Sequence, residues 1–221
     1  MELIDAVKQR RSIRAFKSDP VPLNTLKQIM ELSLWAPSWA NTQPWEFAIA
    51  SGEKLKDIIT QFLAKEAERP YPDITRPPEF PEKFLSRIKA LAPPGPPPSK
   101  EDMDKRRVES LSHYGAPAVI YVLIERSFFY TSRGMNVWSL YDCGAVAQNI
   151  GLIATNYGLG TVEQAQAVIY PDILRKVLGT PDSKLFAIGL AIGYPAWDSP
   201  MLKAPRTTRE PLDKVTTWYG F

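Results

Sequence analysis

The chain contains one cysteine and one histidine in 221 residues. Cys143 has no partner for an internal disulfide and cannot build a thiolate metal centre alone. His113, the single histidine, excludes a two-histidine metal site. No stretch approaches the ~18 consecutive apolar residues of a membrane span, and the opening "MELIDAVKQRR" lacks the apolar run of a secretory leader. The expectation is a reducing, cytoplasmic setting with no metal and no membrane partner. Charge of either sign is also scarce in excess. The net charge is +3, with the basic residues spread along the chain. A nucleic-acid surface built from Arg10, Arg11, Lys105, Arg106 and Arg107 would need a denser basic footprint than this, so no nucleic-acid partner is expected.

Proline, by contrast, is concentrated. Ten of the 21 prolines fall between Pro70 and Pro98. "APPGPPPSK" suits a stiff exposed connector rather than regular structure. "FPEKFLSRIKAL" between the prolines suits a short helix. Residues 68–100 read as an insertion carried by one domain of residues 1–221. Its Tyr71, Phe80 and Phe84 suit either a lid that touches substrate or simple packing onto the domain.

Apolar residues, 44% of the total, are sufficient for a core. Helical periods run through residues 2–10, through 22–35 ahead of Pro37, and through 53–69. "PWEFAIAS" alternates like a strand, while "PAVIYVLIE" and "KLFAIGLAIGYP" read as buried strands. "SLYDCGAVAQNIGLIATNYGLG" is apolar nearly all round, which predicts a helix buried on most faces. Its Gly144, Ala147 and Gly151 fall at helical spacing and would admit a close neighbouring helix. Gly158 and Gly179 are placed to end helices. Helices and strands alternate without a regular βαβ rhythm, so the class is α+β with a sheet covered by helices.

Three stretches carry chemistry. In "RRSIRAF", an extended chain sets Arg10, Ser12 and Arg14 on one face, with Arg11 and Ile13 on the other. Two guanidinium forks flanking a hydroxyl suit a phosphate dianion. The same cluster suits a solvated surface between a helix and a strand. In "APSWANTQPWEF", Asn41 and Gln43 offer donors and acceptors that could grip a heterocycle; the stretch equally suits a helix-to-strand turn with an aromatic plug. "GLGTVEQAQAV" offers two glycines for close backbone approach but lacks a dinucleotide fingerprint.

Taken in order, with "AIGLAIGYP" and "REPLDKV" closing the chain, these stretches resemble the FMN-dependent nitroreductase family. The resemblance covers nearly the whole chain outside the proline-rich insertion. It implies a mostly antiparallel sheet flanked by helices, and a homodimer with an exchanged C-terminal tail that holds FMN between the subunits. Arg10, Arg11, Ser12 and Arg14 would meet the flavin's phosphate and ribityl chain. Pro37, Ser38, Trp39, Asn41 and Gln43 would lie over the ring from the other subunit. Arg209 would add charge at the phosphate, with Arg206 assisting. Some members place a Glu-Gly backbone pair near flavin N5. The stretch from Gln166 through Ala167 to Val168 corresponds here and lacks that pair, although its backbone N–H groups could serve. The implied activity is NADH- or NADPH-dependent reduction of nitroaromatics or quinones in a ping-pong cycle, with no side chain assigned as catalytic. Relatives on the same fold carry out reductive dehalogenation or dehydrogenation, and a flavin-binding module without turnover is a further alternative.

Overall fold

A computed structural model of the chain describes residues 1–65, 68–75, 77–91 and 96–221. The connector "APPGPPPSK" falls partly outside these residues, as do positions 66 and 67 of the helical stretch expected to reach Arg69.

The centre is a four-stranded sheet of β1 (Trp45–Ser51), β2 (Ala118–Glu125), β5 (Gly160–Gln164) and β6 (Lys184–Gly193), in the order β1-β2-β6-β5. Every neighbouring pair runs antiparallel. β3 (Tyr130–Thr131) and β4 (Gly134–Met135) form a separate two-residue ribbon. β2 is apolar on both faces because both faces are covered. Val119, Tyr121 and Leu123 enter one core cluster, and Ala118, Ile120, Val122 and Ile124 enter the other. The strand's period of two therefore divides its side chains between two layers. Each such buried aliphatic contributes about 1.5–3 kcal/mol relative to exposure.

The first layer packs α3 (Gly52–Ala64), the end of α5 (Lys100–Leu111) and α8 (Pro171–Leu178) on the sheet. The second packs α2 (Leu23–Ser33) and α7 (Val137–Asn156). α7 buries Val146, Ala147, Ile150 and Ala154, as its sequence predicts. Gly158 and Gly179 take left-handed φ values of 74° and 70° just past α7 and α8. The close neighbour at Gly151 is not a helix. It is the aliphatic stem of Arg10, 3.4 Å from where a Cβ would lie, together with Thr161. Gly144 faces open space.

α1 (Leu3–Gln9) buries little of its apolar side. Only Ala6 is covered, while Leu3, Ile4 and Val7 are exposed. The remaining helices are α4 (Glu82–Lys89) in the proline-rich insertion, the single turn α6 (Arg126–Phe129), and α9 (Pro200–Lys203). Beyond α9 the chain runs to Phe221 almost wholly exposed, with Trp218, Tyr219 and Phe221 outward. Among the described residues no helix is long and apolar enough to cross a membrane.

Candidate functional site

After α1 the chain runs extended from Arg10 and docks against the start of β5. Ser12 bridges Thr161 in parallel, and the Ile13 N–H donates to the Thr161 carbonyl at 3.0 Å. Ile13 and Ala15 point inward and are buried with Leu202, leaving Ser12 and Arg14 on the outer side. The alternation read from "RRSIRAF" is thus present, and apolar burial of Ile13 and Ala15 sets it. Gly160 makes the docking feasible. A Cβ there would lie 2.4 Å from Ile13 Cγ1 and 3.0 Å from Pro195 Cγ.

The outer side of this segment lines a cleft of about 780 Å³ with the chain around residues 204–209. Arg10, Arg11, Ser12, Arg14, Arg206 and Arg209 all face it, and Lys8 adds a further cation. Among the described residues no carboxylate lines it. Arg11 spans to the C-terminal segment, donating to the carbonyls of Leu202 at 3.2 Å and Ala204 at 3.1 Å. Arg206 donates to the carbonyls of Lys8 and Arg10. Arg209 donates to Thr207 and Thr208. Arg11 and Arg206 fasten the two walls together, while Arg209 is held within its own segment. Among the described residues, the Arg10 and Arg14 guanidiniums carry no hydrogen bond or ion pair to protein. Concentrated positive charge with two uncommitted forks attracts and orients an anion with several oxygens.

Residues 37–43 lie elsewhere. Pro37, Ser38, Trp39, Asn41 and Gln43 do not line this cleft, and all except the half-buried Ser38 are exposed. The loop is nonetheless tightly specified. Ala40, Asn41 and Gln43 hold positive φ of 49°, 56° and 45° without being glycine, a strained set that tertiary contacts must maintain. The Trp39 N–H donates to the buried carboxylate of Asp142 on α7 at 3.1 Å. The Gln43 N–H donates to Ser38 Oγ at 3.0 Å, and the Gln43 amide donates to Asn41 Oδ1 at 3.1 Å. Asp142 was not legible as a functional residue, although it is the one charged residue in α7. Burial, together with the Asp142 charge, pushes the adjacent Cys143 thiol up to about 12, so it stays an unreactive thiol.

The structure does not bring Gln166 and Ala167 to the arginine cleft. Gln166 lines a second cleft of about 610 Å³, beyond the far end of β5. Ala167 is fully buried, with its Cβ only 2.4 Å from where a Cβ on Gly189 would lie. Their polypeptide follows β5 into the core because Ala167 and Val168 are apolar.

The insertion residues also separate. Tyr71 anchors the insertion to the domain. Its hydroxyl donates to Asp172 at 2.7 Å and accepts from Lys65 at 2.6 Å, and its N–H donates to the Ile169 carbonyl. Asp73 continues the clamp, accepting from Arg175 at 2.7 Å and from the Phe186 N–H at 3.0 Å. Phe80 and Phe84 are about half-exposed and line neither cleft.

His113 is wholly buried beside Gln164, with Nδ1 3.4 Å from Oε1. Gln164 in turn donates to the Ser110 carbonyl at 3.1 Å, which fixes its amide and leaves the imidazole as the donor at Nδ1. Burial depresses the imidazole to about 4, opposed only by Gln164. The unfolded chain therefore protonates near pH 6.5 and the fold resists until about pH 4. Stability is expected to fall as pH drops through that window, with a limiting slope of about 1.4 kcal/mol per pH unit, and to be insensitive to this group above it. Denaturant unfolding of wild type and His113→Gln at pH 7.5 and 5.5 checks this. Equal pH dependence in the two proteins would contradict it.

Comparison with known proteins places this geometry. The sequence matches the family model described as Nitroreductase family over residues 7–194. It is 31% identical over 220 residues to the nitroreductase NfnB of Mycolicibacterium smegmatis, covering 95% of this chain and 89% of that protein. It is 28% identical over 238 residues to a 4-nitrobenzoate reductase of Nocardioides sp. (strain LMS-CY), covering 99% and 90%. The fold superposes on the crystal structure of an FMN and NADPH-dependent nitroreductase NfnB from a Sphigopyxis strain with TM-score 0.87, 26% identity and full coverage of both chains. The antiparallel sheet with helices on both faces is the fold of those structures. With the "RRSIRAF" segment docked on β5 and its arginines gathered in one cleft, the chain belongs to the nitroreductase family.

Proposed function

We propose that the protein is an FMN-dependent oxidoreductase that uses NADH or NADPH to reduce nitroaromatics or quinones. The observation that carries this reading is the arginine cleft. Its lining of six cations and no carboxylate fits the phosphate end of FMN. Arg10 and Arg14 would hold the phosphate, and Ser12 would donate to it. Arg11, Arg206 and Arg209 would supply field, with Arg11 and Arg206 also tying the walls together. Bound there, FMN supplies hydride transfer through its N5 between a nicotinamide and an electron-poor acceptor. Among the described residues neither cleft is lined by a carboxylate or an imidazole; water or the flavin N–H would supply the acceptor's protons. In steady state with NADPH and a nitroarene the FMN-loaded protein gives parallel double-reciprocal lines. No nicotinamide oxidation with any nitroarene or quinone would sink the reading.

The working unit is a homodimer. Exposed apolar side chains recur on α1 (Leu3, Ile4, Val7), at the start of α7 (Trp138, Tyr141) and in the tail (Trp218, Tyr219, Phe221). Surfaces of this kind call for a partner. The Pro37–Gln43 loop, held outward and strained, would reach the partner's flavin, and the tail would lie on the partner. The insertion at about residues 68–100 would act as a lid, and the enzyme would work in the cytoplasm. Light scattering should report twice the 24.9 kDa chain mass. Removing residues 212–221 should weaken the dimer by about tenfold or more. A flavin-loaded monomer would contradict the arrangement.

A further inference from the structure

We propose that the second cleft is the seat of an aromatic carboxylate, so that the acceptors this protein prefers are aryl carboxylates rather than neutral nitroarenes. Its role as the acceptor's seat rests on the reductase reading above. Its ligand chemistry rests on its own residues.

The cleft lies between the ordered start of the insertion, α5 and the turn after β5. Pro70, Pro72, Leu111, Tyr114 and Ile169 give it flat apolar walls, and about 610 Å³ is ample for a substituted benzene. Arg106 faces it from α5 with Arg107 beside it, and among the described lining residues there is no carboxylate; Asp102, which feels the Arg106 charge, lies one turn earlier on the helix outside the lining. A planar fork on an apolar wall selects an oxyanion borne by a ring, and it matches a carboxylate in bidentate fashion.

The walls are held in place. Ser99 and Asp102 cap α5 reciprocally, both at 3.1 Å. Gln164 pins the helix end through the Ser110 carbonyl. His113 and Tyr114 are locked at positive φ of 51° and 56°. The Tyr71 N–H fastens the insertion to Ile169. A pocket fixed before its ligand arrives loses less on binding.

Position links the two clefts. β5 starts at the arginine cleft, where Thr161 pairs with Ser12, and Gln166 lines the second cleft five residues later. At about 3.3 Å per extended residue, the three steps from Thr161 to the end of β5 at Gln164 span roughly 10 Å, and Gln166 sits in the 3-10 turn that follows. A cofactor anchored by its phosphate at one end and laid along β5 would approach a ring held at the other.

The test uses the purified protein with FMN added. Calorimetric titration compares benzoate with benzamide, neither of which can be reduced as a nitro compound. Benzoate should bind about tenfold more tightly, Arg106→Gln should remove that preference, and Arg106→Lys should restore part of it. Arg106 is exposed on a polar helix, so these variants should fold. In turnover, the ratio of kcat/KM for 4-nitrobenzoate to that for nitrobenzene should drop about tenfold in Arg106→Gln. Equal binding of benzoate and benzamide overturns the proposal. It is also overturned if Arg106→Gln leaves the selectivity intact and instead loosens FMN or raises KM for NADPH, because the cleft would then serve the cofactor or the nicotinamide nucleotide. The titration needs no turnover, so it reads the cleft even if the protein reduces no nitroarene.

Discussion

Replacing Arg14 by alanine is expected to raise the FMN dissociation constant by about ten- to a hundredfold. Hydrogen bonds to a charged group contribute about 1.5–3 kcal/mol each, and 1.4 kcal/mol is a factor of ten. Arg14 is exposed, and its guanidinium has no protein partner among the described residues. Its loss should therefore remove ligand contacts without unfolding the wall. Arg11 makes the contrast. It donates to Leu202 and Ala204, so Arg11→Ala should lower thermal stability as well as affinity. Fluorescence titration with FMN, paired with a melting curve for each variant, separates the two. Unchanged FMN affinity in Arg14→Ala would remove this residue from the site.

Gly160→Ala should damage the same cleft from behind. The added methyl would lie 2.4 Å from Ile13 Cγ1 and 2.9 Å from Ile13 Cβ. Ile13 is buried, β-branched and stiff, so it cannot swing clear without moving its backbone. Overpacking of this kind costs about 1–3 kcal/mol. Here the displaced backbone also carries Ser12 and Arg14, so a rise in the FMN dissociation constant should accompany the fall in melting temperature. Ile13→Ala in the Gly160→Ala background opens the missing space and should recover part of the affinity. Wild-type FMN binding in Gly160→Ala would show that the segment's docking on β5 does not set the cleft.

Where periodicity and burial agree, the sequence was informative. β2 could be read as buried because every residue from Ala118 to Ile124 is apolar, and each packs in one of the two layers. The "RRSIRAF" alternation was legible because Ile13 and Ala15 need cover while Ser12 and Arg14 do not. α1 is legible only in part. Its apolar residues are real, but one protomer leaves Leu3, Ile4 and Val7 exposed, and a period of 3.6 does not say which body covers a face.

Other features arise only from three-dimensional contact. Nothing local marks Ala40 and Gln43 as left-handed, whereas Asn41 is of a type that visits that region readily. Asp142, about 100 positions away, helps hold them there. The pairing of His113 with Gln164 joins β5 to the end of α5 across 51 residues. Tyr71 looked available for substrate because it sits among prolines, yet Lys65 and Asp172 engage its hydroxyl. The turn at Gln166 and Ala167 could be placed only relative to β5. Its apolar members draw it away from the arginine cleft and give the second cleft one of its walls.

The most direct measurement is a visible absorption spectrum of the FMN-reconstituted protein under anaerobic conditions, with NADPH added first and 4-nitrobenzoate second. The account predicts a protein-bound flavin spectrum that bleaches with NADPH and returns with the nitro compound. A protein that stays colourless because added FMN does not bind would contradict it, and the six cations of the cleft would then need another anion.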